Sequence, residues 1–367
     1  LKVLHICTDF WPATGGIERF VLELAHRTQA LGAKPSVLCH RRPRGYPPQP
    51  EHDAVEGICV IRVPCIDLKY YKPTWLPMNA LRAADVLHVH GIGAPLDAVA
   101  LLQPLHRRPI VVSTHGGIFH TAILSKLKRW YFQKIVSLSG RRVNQFLATS
   151  KNDYRLFEKV SDRVTLLENG VALPAAVQVP RDDRRLLHVG RLAENKQVEK
   201  LLQIVAELAA MEAGITLRLV GPDWRGNSAR LIALAKSLKV EQAVDFVGEV
   251  SGEQLAVEYA SAGWLVSASR FEGFGLSLIE GMSAGCVPIV NRIAAFEDII
   301  EYGRNGFLID FEKTEEAART IASLLTSGPS QEIASAARAT ALNYSWDEKA
   351  PRFMEIYAAA IRAFRAT

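Results

Sequence analysis

The sequence predicts an α/β protein of two doubly wound, parallel-sheet domains, and three observations carry that prediction. Short β-branched runs alternate with stretches of helical period along most of the 367 residues, which is the pattern of β-α units feeding a parallel sheet. The strand-like runs are almost continuously apolar, as strands covered on both faces must be. The alternation stops at "GVALPAAVQVPRDDRR" (170–185), with its prolines and charge run, and then restarts. Such a stretch reads as an interdomain linker.

In the first half the predicted strands are "KVLHICT", "PSVLCH", "GICVIRVP", "DVLHVHG", "PIVVSTHG", "QFLATS" and "VTLLEN". Each is rich in Val, Ile, Leu or Phe, and most end at a polar residue or glycine. Helical periods fill 16–31, 95–106, 121–142 and 151–159. After the linker come "RLLHVGR", a helix at 197–213, "ITLRLVGP", a helix at 227–239, "AVDFVGE", a helix at 251–262 and "WLVSAS". A helix at 276–284, "CVPIVN" and "GFLID" complete the second set. The tail from 345 is helical and amphipathic, but Pro351 lies inside it, so a kink or a fresh start is expected there. The architecture is two Rossmann-like domains facing a cleft, with ligands bound at the carboxyl ends of the strands.

Composition narrows the function. Apolar residues make up 49% and charged residues 22%, normal for a globular protein. No apolar run reaches the ~18–20 residues that span a bilayer. The chain opens on the strand-like "LKVLHIC" without a charged leader and cleavage site, so no signal peptide is expected. Cys7, Cys39, Cys59, Cys65 and Cys286 have no metal-type spacing, which predicts reduced thiols in a cytoplasmic protein. A net charge of +6 points to an anionic partner. The charge is uneven: no Asp or Glu occurs between residues 98 and 152, where nine Lys and Arg stand. Within that window "ILSKLKRWYFQKIVSLSGRR" mixes cations with Trp130, Tyr131 and Phe132. Such a helix at 121–142 either packs on its own domain with solvated cations, or lies flat on an anionic membrane.

Most motifs fall where strands end. After the first strand, Gly15-Gly16 precedes a helix start. This is either a plain tight turn or a place where backbone N–H groups approach a phosphate. It is not the G-x-G-x-x-G fingerprint, and neither half carries that fingerprint with an acid ~20 residues on, which argues against an NAD-dependent oxidoreductase. After the first strand of the second half, "VGRLAENKQVEKLL" places Arg191 and Lys196 beside a helix start, either surface cations on a capped helix or two cations suited to a diphosphate. In "SRFEGFGLSLIEGMSAG" Glu272 sits in a glycine-rich loop and Glu280 about one turn into the following helix. Glu280 either complements the helix dipole or accepts hydrogen bonds from a vicinal diol such as a ribose. Glu272 is either a solvated loop acid or a partner for sugar hydroxyls. His115, at a strand end before two glycines, suits either a half-buried structural position or a site. His88 and His90 in "LHVHG" are similar in kind.

Taken together, "GGIE", "STHG", "ATS", "ENGV", "GR…NK", "GP", "FVGEVS", the E-x7-E element and the terminal "YSWDE" resemble glycosyltransferase family 4. Its members are retaining, nucleotide-sugar-dependent transferases of the two-domain GT-B fold, and the likeness is to bacterial exopolysaccharide α-mannosyltransferases. The resemblance implies an acceptor-binding domain at 1–170, with helix 350–367 packing back on it, and a nucleotide-sugar domain at 171–349. It implies catalytic or charge-stabilising roles for His115, Glu272, Arg191 and Lys196. It implies donor contacts from Gly16, Gly248, Glu249, Phe274, Gly275, Leu276, Ser277 and Glu280 as well, with Glu280 on the ribose. The sequence departs from the family pattern at Glu194-Asn195-Lys196-Gln197, where Glu-Lys-Gly is usual, and at Glu168, where Pro is common.

The resemblance further implies a hexose donor, GDP-mannose being favoured, a lipid-linked saccharide acceptor, no nucleic acid partner and no cofactor. With no Asp-x-Asp triplet in the chain, a metal is not expected. The expected place is the cytoplasm, peripherally at the inner face of the membrane, and the expected hinges are 170–185 and Pro351. Rivals are a UDP-sugar-dependent transferase with a different acceptor and a nucleotide-sugar 2-epimerase.

Overall fold

The computed structural model describes residues 1–13, 15–43, 45–68, 71–116, 125–211, 214–272 and 274–366, without the side chains of Ser125 and Lys126. The chain forms two units, Leu1–Gly170 with Trp346–Thr367, and Val171–Ser345.

The first unit is built on an eight-stranded sheet of order β3-β4-β2-β1-β5-β6-β7-β8. Its strands are β1 (Lys2–Ile6), β2 (Lys34–His40), β3 (His52–Val55), β4 (Ile58–Val63), β5 (Val86–His90), β6 (Ile110–Ser113), β7 (Gln145–Ala148) and β8 (Val164–Leu166). Around them lie α1 (Gly16–Ala30), α2 (Met78–Ala83), α3 (Ala94–Leu101), α4 (Gln103–His106), α5 (Ser125–Tyr131), α6 (Ser137–Gly140) and α7 (Lys151–Phe157). All pairings are parallel except β3 with β4. The sequence pattern does not announce β3. It is an exposed edge strand joined to β4 by Glu56 (φ 48°) and Gly57 (φ 83°), the two left-handed residues of a tight hairpin turn.

The second unit has the strand order β11-β10-β9-β12-β13-β14, the doubly wound arrangement of nucleotide-binding sheets. Its strands are β9 (Asp182–Val189), β10 (Thr216–Val220), β11 (Val244–Gly248), β12 (Ala262–Ser267), β13 (Val287–Asn291) and β14 (Phe307–Ile309), all parallel. Its helices are α8 (Val198–Ala210), α9 (Asn227–Ser237), α10 (Gly252–Ser261), α11 (Leu276–Ser283), α12 (Ala294–Glu297), α13 (Thr314–Ser327) and α14 (Gln331–Leu342). The final helix, α15 (Trp346–Arg365), returns to the first unit.

Several sequence expectations need correction. The linker stops short of 185, because residues 182–185 extend β9 by pairing with β10 and β12. The helix expected at 95–106 breaks into α3 and α4 at Leu102, with Pro104 in the first turn of α4. The helix expected at 121–142 is α5, then a π-helical turn at Phe132–Val136, then α6; its residues 121–124 lie outside the described ones. Pro351 starts no new helix, since α15 runs through it. The pattern also missed α13 and α14, whose apolar faces join the cores of the second unit. Among the described residues, no helix is long and apolar enough to cross a membrane.

Parallel β-α-β winding brings the carboxyl end of every strand but the antiparallel β3 to one edge of its sheet. Ile6, His90, Ser113 and Ala148 end strands of the first unit there; Val189, Val220, Gly248, Ser267 and Asn291 do so in the second. In the second unit the loop after β9 and the loop after β10 are zipped together. Leu192 N–H donates to Pro222 O at 3.0 Å, Gly190 N–H to Val220 O at 2.9 Å, and Asn227 Nδ2 to Leu192 O at 2.7 Å. Gly221 (φ +140°) lies so close that a Cβ there would run into the carbonyl of Gly190. At the unit boundary, Val171 N–H donates to Tyr344 O at 2.7 Å and Val171 bridges Ser345.

Candidate active site

Each unit carries its own group of candidate residues at the strand ends. In the second unit, Lys196 and Glu272 come together. Lys196 lies in a 3-10 turn after β9, and its Nζ is 2.6 Å from Glu272 Oε1, with both side chains largely buried. Ser269 Oγ donates to the same carboxylate oxygen at 2.7 Å. Asn291 at the end of β13 donates from Nδ2 to Ser269 O at 3.1 Å, which ties that segment to the sheet. Gly190 makes room for the lysine, since a Cβ there would meet Lys196 Cε at 3.3 Å. Asn195, where the sequence departs from the family pattern, has a structural use. Its carbonyl accepts from Arg270 N–H at 2.9 Å and its Nδ2 donates to Phe271 O at 3.3 Å. The lysine-bearing turn and the glutamate-bearing loop are therefore held together by backbone as well as by charge.

Arg191 is exposed, and its guanidinium carbon stands 4.4 Å over the Trp224 ring. It has no ion pair with a described residue. Glu280 has a partner of its own. Tyr259 Oη donates to Glu280 Oε2 at 2.8 Å. Burial raises the Glu280 carboxyl above its ordinary range, and the tyrosine hydrogen bond opposes the shift without cancelling it. Gly275 (φ +92°) is the N-cap of α11 and packs against Phe296, so a Cβ there would meet that ring at 3.0 Å. Among the described residues no side chain caps α11, which leaves the first-turn N–H groups, those of Leu276 and Ser277 among them, directed out of the helix start. Phe274 packs edge-on against Tyr344 at 5.6 Å. Gly248 (φ +80°) closes β11, and its carbonyl accepts from Gly221 N–H at 2.8 Å. Glu249 beside it is exposed. Gly273 lies outside the described residues.

In the first unit, His115 follows β6 in the left-handed region (φ 47°), a strained backbone for this residue type. Asp153 pins it from both sides: its Oδ2 accepts from Thr114 Oγ1 and, at 2.7 Å, from Gly116 N–H. Asp153 is itself placed by the N-cap of α7, where Ser150 Oγ accepts from Asp153 N–H at 3.1 Å. His115 Nε2 lies 3.1 Å from His90 Nδ1. Burial pushes the His115 imidazole down to about 4, so it is neutral at physiological pH. Gly16 is exposed as the first residue of α1. The Glu18 carboxylate folds back against Gly15, where a Cβ would run into its Oε2, so that helix start already carries an acid.

Sequence reasoning missed Tyr259, Trp224 and Asp153. A signal existed for two of them. Tyr259 lies in an amphipathic helix, where a buried hydroxyl needs a partner, and Asp153 stands three residues after a Ser that can cap a helix. For metal ligation, the described residues offer His5, His88 and His90, whose nitrogens lie within 4.8 Å of one another. Both nitrogens of His88 are already hydrogen-bonded, to Tyr357 Oη and Ser113 Oγ. Those of His90 meet His5 and His115.

Comparison with known proteins matches both halves. The family model described as "Glycosyltransferase Family 4" matches residues 14–173, and that of "Glycosyl transferases group 1" matches 172–340. A GDP-mannose:cellobiosyl-diphosphopolyprenol alpha-mannosyltransferase of Komagataeibacter xylinus is 33% identical over 97% of this chain and 93% of its own. The protein of that name in Xanthomonas campestris is 30% identical over 98% of this chain and 97% of its own. Among solved structures, HepE of Anabaena in complex with UDP aligns over 98% of this chain and 100% of its own, with a TM-score of 0.74 at 18% identity.

Proposed function

This chain belongs to glycosyltransferase family 4, is a hexosyltransferase of GT-B fold, and on that premise we propose that it moves mannose from GDP-mannose, with retention, onto a saccharide linked to a polyprenyl diphosphate. The donor and acceptor are those in the names of the full-length relatives. The observation that carries the reading is the Lys196–Glu272 pair at 2.6 Å, set beside the uncapped start of α11.

The chemistry follows from those groups. A donor diphosphate competes with Glu272 for Lys196 and draws the ammonium to itself. Glu272 is then free to accept hydrogen bonds from hydroxyls of the hexose. Arg191, stacked on the Trp224 ring, turns its N–H fork to the phosphate oxygens. The N–H groups at the start of α11 add fixed positive dipoles. As the bond from the anomeric carbon to the phosphate oxygen breaks, negative charge grows on the nucleoside diphosphate and oxocarbenium character on the sugar. Donors already aimed at the leaving group lower that barrier by several kcal/mol. The departing phosphate oxygen takes the proton of the acceptor hydroxyl, which attacks from the same face. Glu280, hydrogen-bonded by Tyr259, accepts from the ribose hydroxyls. His115, neutral, contacts the sugar. These steps call for no metal.

The acceptor is presented at a membrane. Leu127 and Trp130 on α5 are exposed, while Phe132 and Val136 are buried, so the helix spends only part of its apolar surface on its own core. Ile66, Leu68 and Trp75 are exposed on a nearby segment. Asp97 ties the two together by accepting from Tyr71 Oη at 3.0 Å and from Tyr131 Oη. With the surrounding Lys and Arg, this face suits the surface of anionic lipid.

Thermal-shift measurements with GDP, UDP, ADP and GDP-mannose, followed by incubation of GDP-mannose with diphosphopolyprenyl cellobiose, test the reading. Stabilisation by GDP above the others and formation of an α-mannosylated lipid are expected. Stabilisation by UDP alone would move the chain to a UDP-sugar donor. Release of an epimerised nucleotide sugar without acceptor would make it an epimerase.

A further inference from the structure

Behind His115 the first unit holds a feature that transfer chemistry alone does not require. His5 on β1, His90 on β5 and His115 after β6 form a continuous chain of imidazoles. His115 Nε2 is 3.1 Å from His90 Nδ1, and His90 Nε2 is 3.1 Å from His5 Nδ1. The chain ends at His5 Nε2, which is buried and has no hydrogen-bond partner among the described residues. His5 is fully buried and His90 nearly so. Phe20 stands edge-on to His115 and His90, at 4.9 and 5.9 Å, and Phe353 lines the adjacent His88 ring. The charged groups that act on His88 and His90 are neighbouring histidines, and among the described residues no carboxylate hydrogen-bonds to His5, His90 or His115.

In a neutral chain of this kind each link uses one N–H and one lone pair. The protons must therefore all lie on the same type of nitrogen, and only two orders exist. If they lie on Nε2, the last N–H, that of His5, is a buried donor with no acceptor. Orphaned buried N–H groups are rarer in proteins than under-satisfied acceptors. If they lie on Nδ1, His5 donates to His90, His90 donates to His115, and the unmatched atom is a lone pair on His5. The second order leaves His115 Nδ1–H as the one uncommitted donor; among the described residues, no group accepts from it.

We propose that His5 and His90 are positioning residues that lock His115 in the Nδ1-protonated form, so that His115 meets its ligand as a hydrogen-bond donor to a sugar oxygen and not as a base. The ligand half of this inference rests on the placement of His115 at the sugar in the proposed function. The tautomer half stands on the first unit alone. The lock needs the chain intact from β1 to the residue after β6, so replacing His90 by a side chain that cannot donate should release it. Gln can still donate an N–H to His115 Nε2; Phe cannot.

The test is two-bond 1H–15N correlation NMR of the full chain labelled at histidine, with assignment by single substitution. An Nδ1–H pattern is expected at His5, His90 and His115. Because a free imidazole favours its Nε2 proton, that pattern is not what unlinked rings would give. In His90→Phe, His115 should revert toward the Nε2–H form and kcat should fall roughly tenfold or more, while in His90→Gln the Nδ1–H form and most of kcat should persist. An Nε2–H or cationic His115 in the wild-type chain overturns the proposal, and this holds even if His90→Phe fails to fold. An Nδ1–H His115 unchanged in His90→Phe overturns the role of His90. A locked tautomer combined with normal turnover in His115→Ala would instead overturn the placement of His115 at the sugar, leaving the lock intact.

Discussion

Lys196 and Glu272 hold each other's charge at 2.6 Å, so replacing either exposes the other. Lys196→Ala should lower kcat by roughly 10²-fold or more, the scale of losing one donor aimed at developing charge. Steady-state kinetics with saturating GDP-mannose would show it, and normal turnover would remove Lys196 from the mechanism. Glu280 makes a different prediction, because its carboxyl is raised above the ordinary value of 4.5 by burial. A raised carboxyl pKa means that the fold favours the neutral form. The stability this gives is fully present below the ordinary pKa and is lost as pH rises through the raised one, so ionised Glu280 costs stability at pH 7. Glu280→Gln should therefore raise Tm at pH 7, with the gain vanishing below about pH 4. Each kcal/mol recovered would register as about 2–4 °C in a domain of this size. The same variant should raise the KM for donor, since an amide is a poorer acceptor for two ribose hydroxyls. A lower Tm at pH 7 would refute the burial argument. At this scale the types and spacing of the acids and cations were legible, because a motif fixes which residues leave a strand end. Their partners were not. Tyr259 reaches Glu280 from a helix 21 residues away in sequence, and Asp153 reaches Thr114 across 39, distances over which no local pattern operates.

At the scale of elements, the strand-end loops depend on close backbone approach. Gly221 follows β10 with φ +140° and faces the carbonyl of Gly190. Gly221→Ala should cost about 1–3 kcal/mol from its backbone conformation alone, and pushing the two loops apart should move Arg191 off Trp224. Loss of GDP binding by calorimetry together with a lower Tm is the expected outcome; unchanged binding would show that the loop pair is not needed for the diphosphate. The central strands were readable because burial on both faces writes a continuous apolar run into the sequence. Edge strand β3 was not, since residues His52, Asp53 and Ala54 are exposed and carry no such run. The break at Leu102 was foreshadowed by Pro104. The passage of α15 through Pro351 was not, because tertiary packing of Trp346, Ala350 and Phe353 in one core cluster outweighs one missing hydrogen bond.

For the whole molecule, a net charge of +6 combines with the exposed Trp75 and Trp130 to predict lipid binding. Flotation with vesicles containing anionic lipid should recover the protein at low salt and lose it as salt screens the cations. Trp75→Ala and Trp130→Ala should each weaken binding roughly tenfold, in line with about 1.5–3 kcal/mol for burying a large apolar side chain. Equal recovery with neutral vesicles would refute the electrostatic part. The bridge between Val171 and Ser345 has its own consequence for how the polypeptide can be taken apart. The stretch 171–345 leaves and rejoins the rest at one spot, so a gene fragment encoding only those residues should yield a free-standing, soluble nucleotide binder. It would titrate with GDP in a calorimeter yet transfer nothing, whereas deleting α15 would strip Trp346, Phe353 and Tyr357 from the remaining body and leave it unable to fold.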